Sequence, residues 1–261
     1  MRIFIVTQEE SVYLPTFLDE VLRVRGKDVC GMVILPELMP NTSWRTTLRD
    51  HLSLYGTGGF VRLVLRYGSH RVLDRLQRLR LPIPGLHSVR GVARRHRVRL
   101  YETRSINDPG FLETLRGLMP DIVVSVNASQ KFGRRLLDLP KWGCINVHGA
   151  LLPRYRGRLP SFWVLANGER ETGATVHVMN TELDDGPIIR QERLAIEPSD
   201  TQNSLIMKTK RLGCRLLLEA LDLIQAGRVV LFPNDRSRAT YYSFPKRDVA
   251  RRVRAARGRL M

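Results

Sequence analysis

The opening of the chain leaves little choice of architecture. Arg2 to Thr7 is an apolar run of strand length, and Tyr13 to Arg25 repeats Leu14, Phe17, Leu18, Val21 and Leu22 at helical spacing. Val29 to Leu35 is a second apolar run. Strand, helix and strand in this order form a βαβ unit, which places two parallel strands side by side and requires cover on both faces. An α/β chain is predicted, with an open, mostly parallel sheet and helices on both faces. The loop after the first strand, Thr7-Gln8-Glu9-Glu10-Ser11, lacks G-x-G-x-x-G, so nothing supports a dinucleotide site. Open sheets of this kind still place ligands at the carboxyl ends of their strands.

The 261 residues suffice for one large domain over 1–230 followed by a short extension over 231–261. Met1-Arg2-Ile3-Phe4 enters the first strand without a signal-peptide pattern, and no apolar run reaches the ~18 residues of a membrane span. A cytoplasmic protein is expected. Cys30, Cys144 and Cys214 have neither CxxC nor zinc-like spacing, so reduced thiols and no metal site are expected. A formal net charge of +18 favours anionic partners, although arginine-rich composition alone also produces such a balance.

Residues 41–95 are too long for an ordinary connection between strand and helix, and a helical basic insert is predicted there. Trp44, Leu48, Leu52 and Leu54 mark one helix. After a break at Gly58-Gly59, Val61, Leu63, Val64, Leu65, Val72, Leu73, Leu76 and Leu79 interleave with Arg62, Arg66, Arg71, Arg75, Arg78 and Arg80. The default reading packs this apolar stripe on the sheet with a solvated basic face; the alternative is peripheral membrane contact or docking to an anionic partner. Beyond it, strands are predicted at His96 to Tyr101, Asp121 to Val126, Thr172 to Met179 and Ile188 to Ile196. Helices are predicted at Gly110 to Gly117, at Ser161 to Asn167, and from an Asp200 or Thr201 cap to Gln225. Ala239 to Pro245 reads as a last strand, and its segment Tyr241 to Phe244 is placed to pair across a homo-oligomer. The tail with Arg251, Arg252, Arg254, Arg257 and Arg259 reads as a solvated charge run.

Chemistry concentrates between Cys144 and Pro187. Strand alternation puts Asn146 and His148 on one face, and a later polar loop, Asn180-Thr181-Glu182-Leu183-Asp184-Asp185-Gly186-Pro187, brings carboxylates. Amide, imidazole and acid gathered without metal-ligand spacing suit acyl transfer to an amine. Singly, each also fits a structural role: a hydrogen-bonded histidine, or an aspartate turning the chain before Gly-Pro. His177 reads as structural and Asp185 as a turn residue.

The combination is specific. Asn146-x-His148, Leu151-Leu152-Pro153-x-Tyr155-x-Gly157, Asn167-Gly168-Glu169, Glu171-Thr172-Gly173-Ala174-Thr175 and Leu183-Asp184-x-Gly186, in that order, resemble the formyltransferases that use 10-formyltetrahydrofolate. The resemblance runs from about Asp121 to about Thr240 and leaves the insert uncovered. It implies a Rossmann-like fold, Asn146, His148 and Asp184 as catalytic residues, and 10-formyltetrahydrofolate as donor co-substrate. It places the pterin against Gln130, Lys131 and Phe132, and the folate-site stretch at Ala150, Leu151, Leu152 and Pro153, with Ala150 where relatives carry serine. The acceptor it implies is a small amine, for which Arg154, Arg156 and Arg158 suggest an anionic group. A nucleotide- or lipid-linked amino sugar fits. In methionyl-tRNA formyltransferase a β-barrel domain follows, and the sixteen residues after Pro245 cannot build one, so nucleic acid (tRNA) is not the favoured partner. A formyltetrahydrofolate hydrolase and a non-catalytic folate-binding module remain as alternatives.

Overall fold

The computed structural model describes residues 1–36, 43–257 and Leu260; residues 41–42 of the expected insert and Arg259 of the tail lie outside the described residues. In chain order the elements are β1 (Ile3–Gln8), α1 (Leu14–Arg25), β2 (Val29–Leu35), α2 (Trp44–Arg78), α3 (Val89–Arg95), β3 (Leu100–Tyr101), α4 (Pro109–Leu118), β4 (Ile122–Ser125), α5 (Arg134–Leu137), β5 (Cys144–His148), β6 (Arg156–Gly157), α6 (Pro160–Ala166), β7 (Glu171–Val178), β8 (Ile188–Ala195), α7 (Gln202–Gln225), β9 (Tyr241–Tyr242) and α8 (Arg247–Arg257).

Seven strands form one open sheet in the order β3-β2-β1-β4-β5-β7-β8. β3 through β5 run parallel, whereas β7 joins β5, and β8 joins β7, antiparallel. The expected mostly parallel α/β sheet is therefore present. Alternation sorts its two faces. Ile3, Ile5, Ile122, Val124, Ile145 and Val147 pack with the buried sides of α1, α3 and α7, while Phe4, Val6, Val123 and Cys144 pack with α4 and α5. Strand order reverses at β1, so its carboxyl end and that of β4 flank the crevice where open sheets hold ligands. Cys144 and Cys214 are buried and Cys30 half-buried, all free thiols.

Local signals account for the helix ends. The Glu10 carboxylate accepts from the backbone N–H groups of Val12, Tyr13 and Leu14, anchoring the start of α1. Asp108 caps α4, and Thr201 with Ser204 forms a capping box on α7. The strand expected at His96 to Tyr101 shrinks to two residues because α3 runs to Arg95 and His96 closes it.

Four expectations need correction. The break expected at Gly58-Gly59 lies at Gly56 (φ 67), a kink inside the 35-residue α2. The carbonyls of Ser53 and Leu54, just before the kink, accept from the Arg254 guanidinium of α8. That helix is consequently not a solvated tail: its Ala250 and Val253 are buried with Leu54, Phe162 and Leu260. The last strand is also shorter and elsewhere, since β9 pairs parallel with β6 in a separate two-stranded ribbon of the same chain.

The fourth correction concerns how α2 sits. Its apolar stripe does not pack on the sheet: Leu54 and Asp74 are its only buried described residues, and Val61, Val64, Leu65 and Val72 are 50 to 67% exposed. Polar contacts hold the inward face instead. Tyr67 Oη donates to Glu10 at 2.8 Å, Arg66 to Asn203 at 2.6 Å, and Asp74 accepts from Ser88 and Arg94.

Candidate active site

Cys144 faces α4 and α5, so Asn146 and His148, two and four residues on, share its side of the sheet. The antiparallel neighbour supplies their partners by register, with His177 opposite Asn146 and Thr175 opposite His148. The turn leaving β7 then swings Asp184 in front of both strands. Asp184 adopts φ 52 and Tyr155 φ 61, left-handed backbone that is costly for side-chain-bearing residues and tends to be retained where function requires it.

Asn146, His148 and Asp184 converge as expected from the sequence. Asp184 Oδ2 lies 3.6 Å from His148 Nδ1 and accepts from the Gly157 N–H at 2.8 Å. Its Oδ1 lies 3.5 Å from Asn146 Nδ2 and 3.7 Å from His177 Nε2. His148 Nε2–H donates to the Tyr155 carbonyl at 2.8 Å, which leaves Nδ1 facing the carboxylate. The neighbouring imidazole is fixed the same way: His177 Nδ1–H donates to Val178 O, and Nε2 accepts from the Asn146 amide at 3.2 Å. Burial alone would raise the Asp184 carboxyl. The positive charge of His148 and the Gly157 N–H outweigh it and hold the group far below the usual carboxylate range.

His177, read as structural, thus touches two of the three expected catalytic residues. Strand parity carried the signal, because Ala174 and Val176 belong to the core on the opposite face. Asp185 is likewise more than a turn residue. It is buried and pairs with Arg156 and Arg236, whose hydrogen bonds, joined by Asn180, depress its carboxyl to about 2 against the penalty of burial. Asn234 holds the same turn by donating to the carbonyls of Asp184 and Gly186, both at 3.0 Å. Neither Asn234 nor Arg236 is visible from local pattern, since each lies some fifty residues beyond the loop it grips.

The candidate ligand residues divide. The Gln130 side chain is spent on Ile106 N and Arg104 O, and the Lys131 carbonyl accepts from Asn107. Phe132, Ala150 and Leu152 are buried in the core, so their side chains are closed to the crevice; Leu151 and Pro153 are partly accessible. Thr175 donates to Ala150 O at 2.6 Å, and Gln191 donates to Leu152 O at 2.8 Å, pinning this stretch. Arg154 is engaged by Glu169 and Arg156 by Asp185, so neither is free for an anionic substrate as expected. Arg158 is exposed and lies over Phe244. Among the described residues no cluster of His, Cys, Asp and Glu is arranged to hold a metal ion.

Gly157 links the site to the ribbon. At φ 99, a Cβ there would sit 2.2 Å from the Tyr242 carbonyl, so any side chain would force β6 off β9 and pull the Gly157 N–H from Asp184. Gly157→Ala is expected to lower stability by on the order of 2 kcal/mol or more and to lower activity as well, measurable by urea unfolding alongside turnover.

Residues 51–221 match the family described as formyl transferase, a span that begins inside α2 and so reaches into the segment set apart above as an insert. The methionyl-tRNA formyltransferase of Thermotoga maritima is 38% identical over 160 residues, 61% of this chain and 51% of that protein. That of Kosmotoga olearia is 40% identical over 153 residues, 59% of this chain and 49% of its own length. The chain therefore spans about half the length of the curated relatives it matches. Among solved structures, the Helicobacter canadensis N-formyltransferase in complex with folinic acid and dTDP-3-aminofucose has a TM-score of 0.60 at 17% identity, covering 93% of this chain and 71% of that one. Glycinamide ribonucleotide transformylase 1 from Symbiobacterium toebii has a TM-score of 0.58 at 20% identity, covering 90% and 94%.

Proposed function

Since the chain belongs to the formyl transferase family, we propose that it is an N-formyltransferase, moving a formyl group from 10-formyltetrahydrofolate to the amine of a small acceptor. The observation that carries this reading is the convergence of Asn146, His148 and Asp184 at the carboxyl end of β5. The donor binds beside the loop 130–132 and the stretch 150–153, with Leu151 and Pro153 offering partly accessible apolar surface.

The amine lone pair attacks the formyl carbon, a C–N bond forms, and the formyl oxygen becomes an oxyanion. Protonated His148 donates to that oxygen. Both its ring nitrogens now face protein acceptors, and the 3.6 Å contact of Nδ1 with Asp184 is the looser, so Nδ1 is the donor that turns to the substrate. Asp184, held ionised, supports the imidazolium charge rather than acting as a strong base. Collapse of the intermediate breaks the bond to N10 of the donor, which leaves as tetrahydrofolate with the proton shed by the amine, relayed through water. The Asn146 amide, with its N–H bonded to His177, presents its oxygen to the incoming amine.

An amino sugar joined to a nucleotide or a lipid carrier is the acceptor this reading favours. A tRNA acceptor is the second reading, favoured by the 38% identity to the Thermotoga protein. The test follows tetrahydrofolate release with dTDP-linked amino sugars, glycinamide ribonucleotide and methionyl-initiator tRNA in parallel. Formylated product in step with tetrahydrofolate supports transfer, and the productive acceptor names the substrate class. Formate release without acceptor identifies a hydrolase, and donor binding without turnover identifies a binding module; either outcome overturns the proposal.

A further inference from the structure

The α2 helix is inside out for a surface helix of a globular protein. Such a helix ordinarily turns its apolar stripe to the core and its charges to water. Here the polar side chains Arg66, Tyr67 and Asp74 point inward to Asn203, Glu10 and Ser88. Val61, Val64, Leu65, Val72 and Leu79 point outward, 50 to 68% exposed. Val61, Leu65, Val72 and Leu79 recur at four- and seven-residue steps, which lines them along one face for about 27 Å at 1.5 Å per residue. Arg62 borders this stripe on one side and Arg71, Arg75 and Arg78 on the other, by their angular positions on the helix. Before the Gly56 kink the same character holds, with Trp44, Leu48 and Leu52 exposed at four-residue steps.

We propose that this face of α2 docks on an anionic lipid surface, lying in the interface with its aliphatic stripe among the acyl chains and its arginines at the headgroups. Charge chooses the occupant. Residues 57–78 of α2 hold five arginines and a single acid, Asp74, which is buried and paired with Arg78 and Arg94. A second copy of this chain, laid face to face on the stripe, would bring arginine rows against each other, an arrangement that repels. Nucleic acid would engage the arginines but would find little use for a row of aliphatic side chains. An anionic bilayer satisfies both, since long cationic side chains snorkel beside a buried apolar strip. Among the described residues no helix is long and apolar enough to cross a membrane, so the contact is with the surface. This inference stands on α2 alone and does not depend on the acceptor or the chemistry at His148.

Co-sedimentation of the full chain with phosphatidylcholine vesicles, with and without phosphatidylglycerol, tests it. Binding to the anionic vesicles is expected to exceed neutral ones by on the order of tenfold or more, with a blue shift in tryptophan emission as Trp44 leaves water. Leu65→Glu together with Val72→Glu, both at exposed positions, is expected to abolish binding without moving the thermal midpoint. Failure to pellet with anionic vesicles overturns the proposal. So does undiminished binding by the double variant, which would assign the effect to bulk charge, or a concentration-dependent dimer that the double variant dissolves, which would assign the face to self-association.

Discussion

His148→Ala and Asp184→Asn are each expected to cut formyl transfer by on the order of 100-fold or more while circular dichroism remains that of the parent chain. Among the described residues, His148 is the one imidazole of the site whose outer nitrogen has only a loose partner, and Asp184 is the one carboxylate within 4 Å of it. In the proposed mechanism, removing the first deletes the oxyanion donor and removing the second leaves the imidazolium without its counter-charge. The pH profile separates these roles. Asp184 is depressed in the folded protein, so it is ionised above its ordinary value of ~3.9 and protonates only as pH falls through its far lower folded value. A fall in turnover between about pH 7 and 5 therefore reports protonation of the acceptor amine, and should persist in shape in any residual activity of Asp184→Asn. Near-normal turnover in both variants would remove these two residues from the chemistry.

Asp185→Asn is expected to cost on the order of 3 to 5 kcal/mol of stability at neutral pH, read from urea unfolding. The Arg156 side chain is 10% exposed and Asp185 3%, so losing the carboxylate strands a buried guanidinium; Arg236, 71% exposed, is the weaker partner. Folding depresses Asp185 to about 2, so its contribution is complete above the unfolded value of ~3.9 and fades as pH falls through about 2. The gap between parent and variant should narrow over that acid window. Adding Arg156→Met to Asp185→Asn should recover much of the loss, because the stranded charge then goes too. An unchanged gap at low pH would assign the effect to packing instead of charge.

What the sequence could and could not disclose follows from how far each signal travels. The βαβ opening, the α7 cap at Thr201 and the strand that carries Asn146 and His148 are local patterns, and each element formed within a few residues of its expected bounds. The Asp184 encounter was legible only because the spacing of the whole motif resembles a known family. His177 was legible in principle, through parity, yet its partner depended on an antiparallel register that no local pattern sets. Asn234, Arg236 and the clasp of Arg254 on the α2 kink join residues far apart in the chain and leave no local trace. For α2 the periodicity was read correctly and its orientation wrongly. A moment says which residues share a side, and only tertiary partners such as Glu10 and Asn203 decide which side turns in.

The grip of Asn234 and Arg236 on the Asp184-Asp185 turn, and of β9 on Gly157, also sets a schedule for biosynthesis. A ribosome-bound chain that has reached Gly227 already owns every strand of the main sheet, together with Asn146, His148 and Asp184. It still lacks the side chains that clamp the turn and the strand that seats the Gly157 amide. The Asp184-Asp185 turn therefore stays unclamped until Tyr242 has emerged.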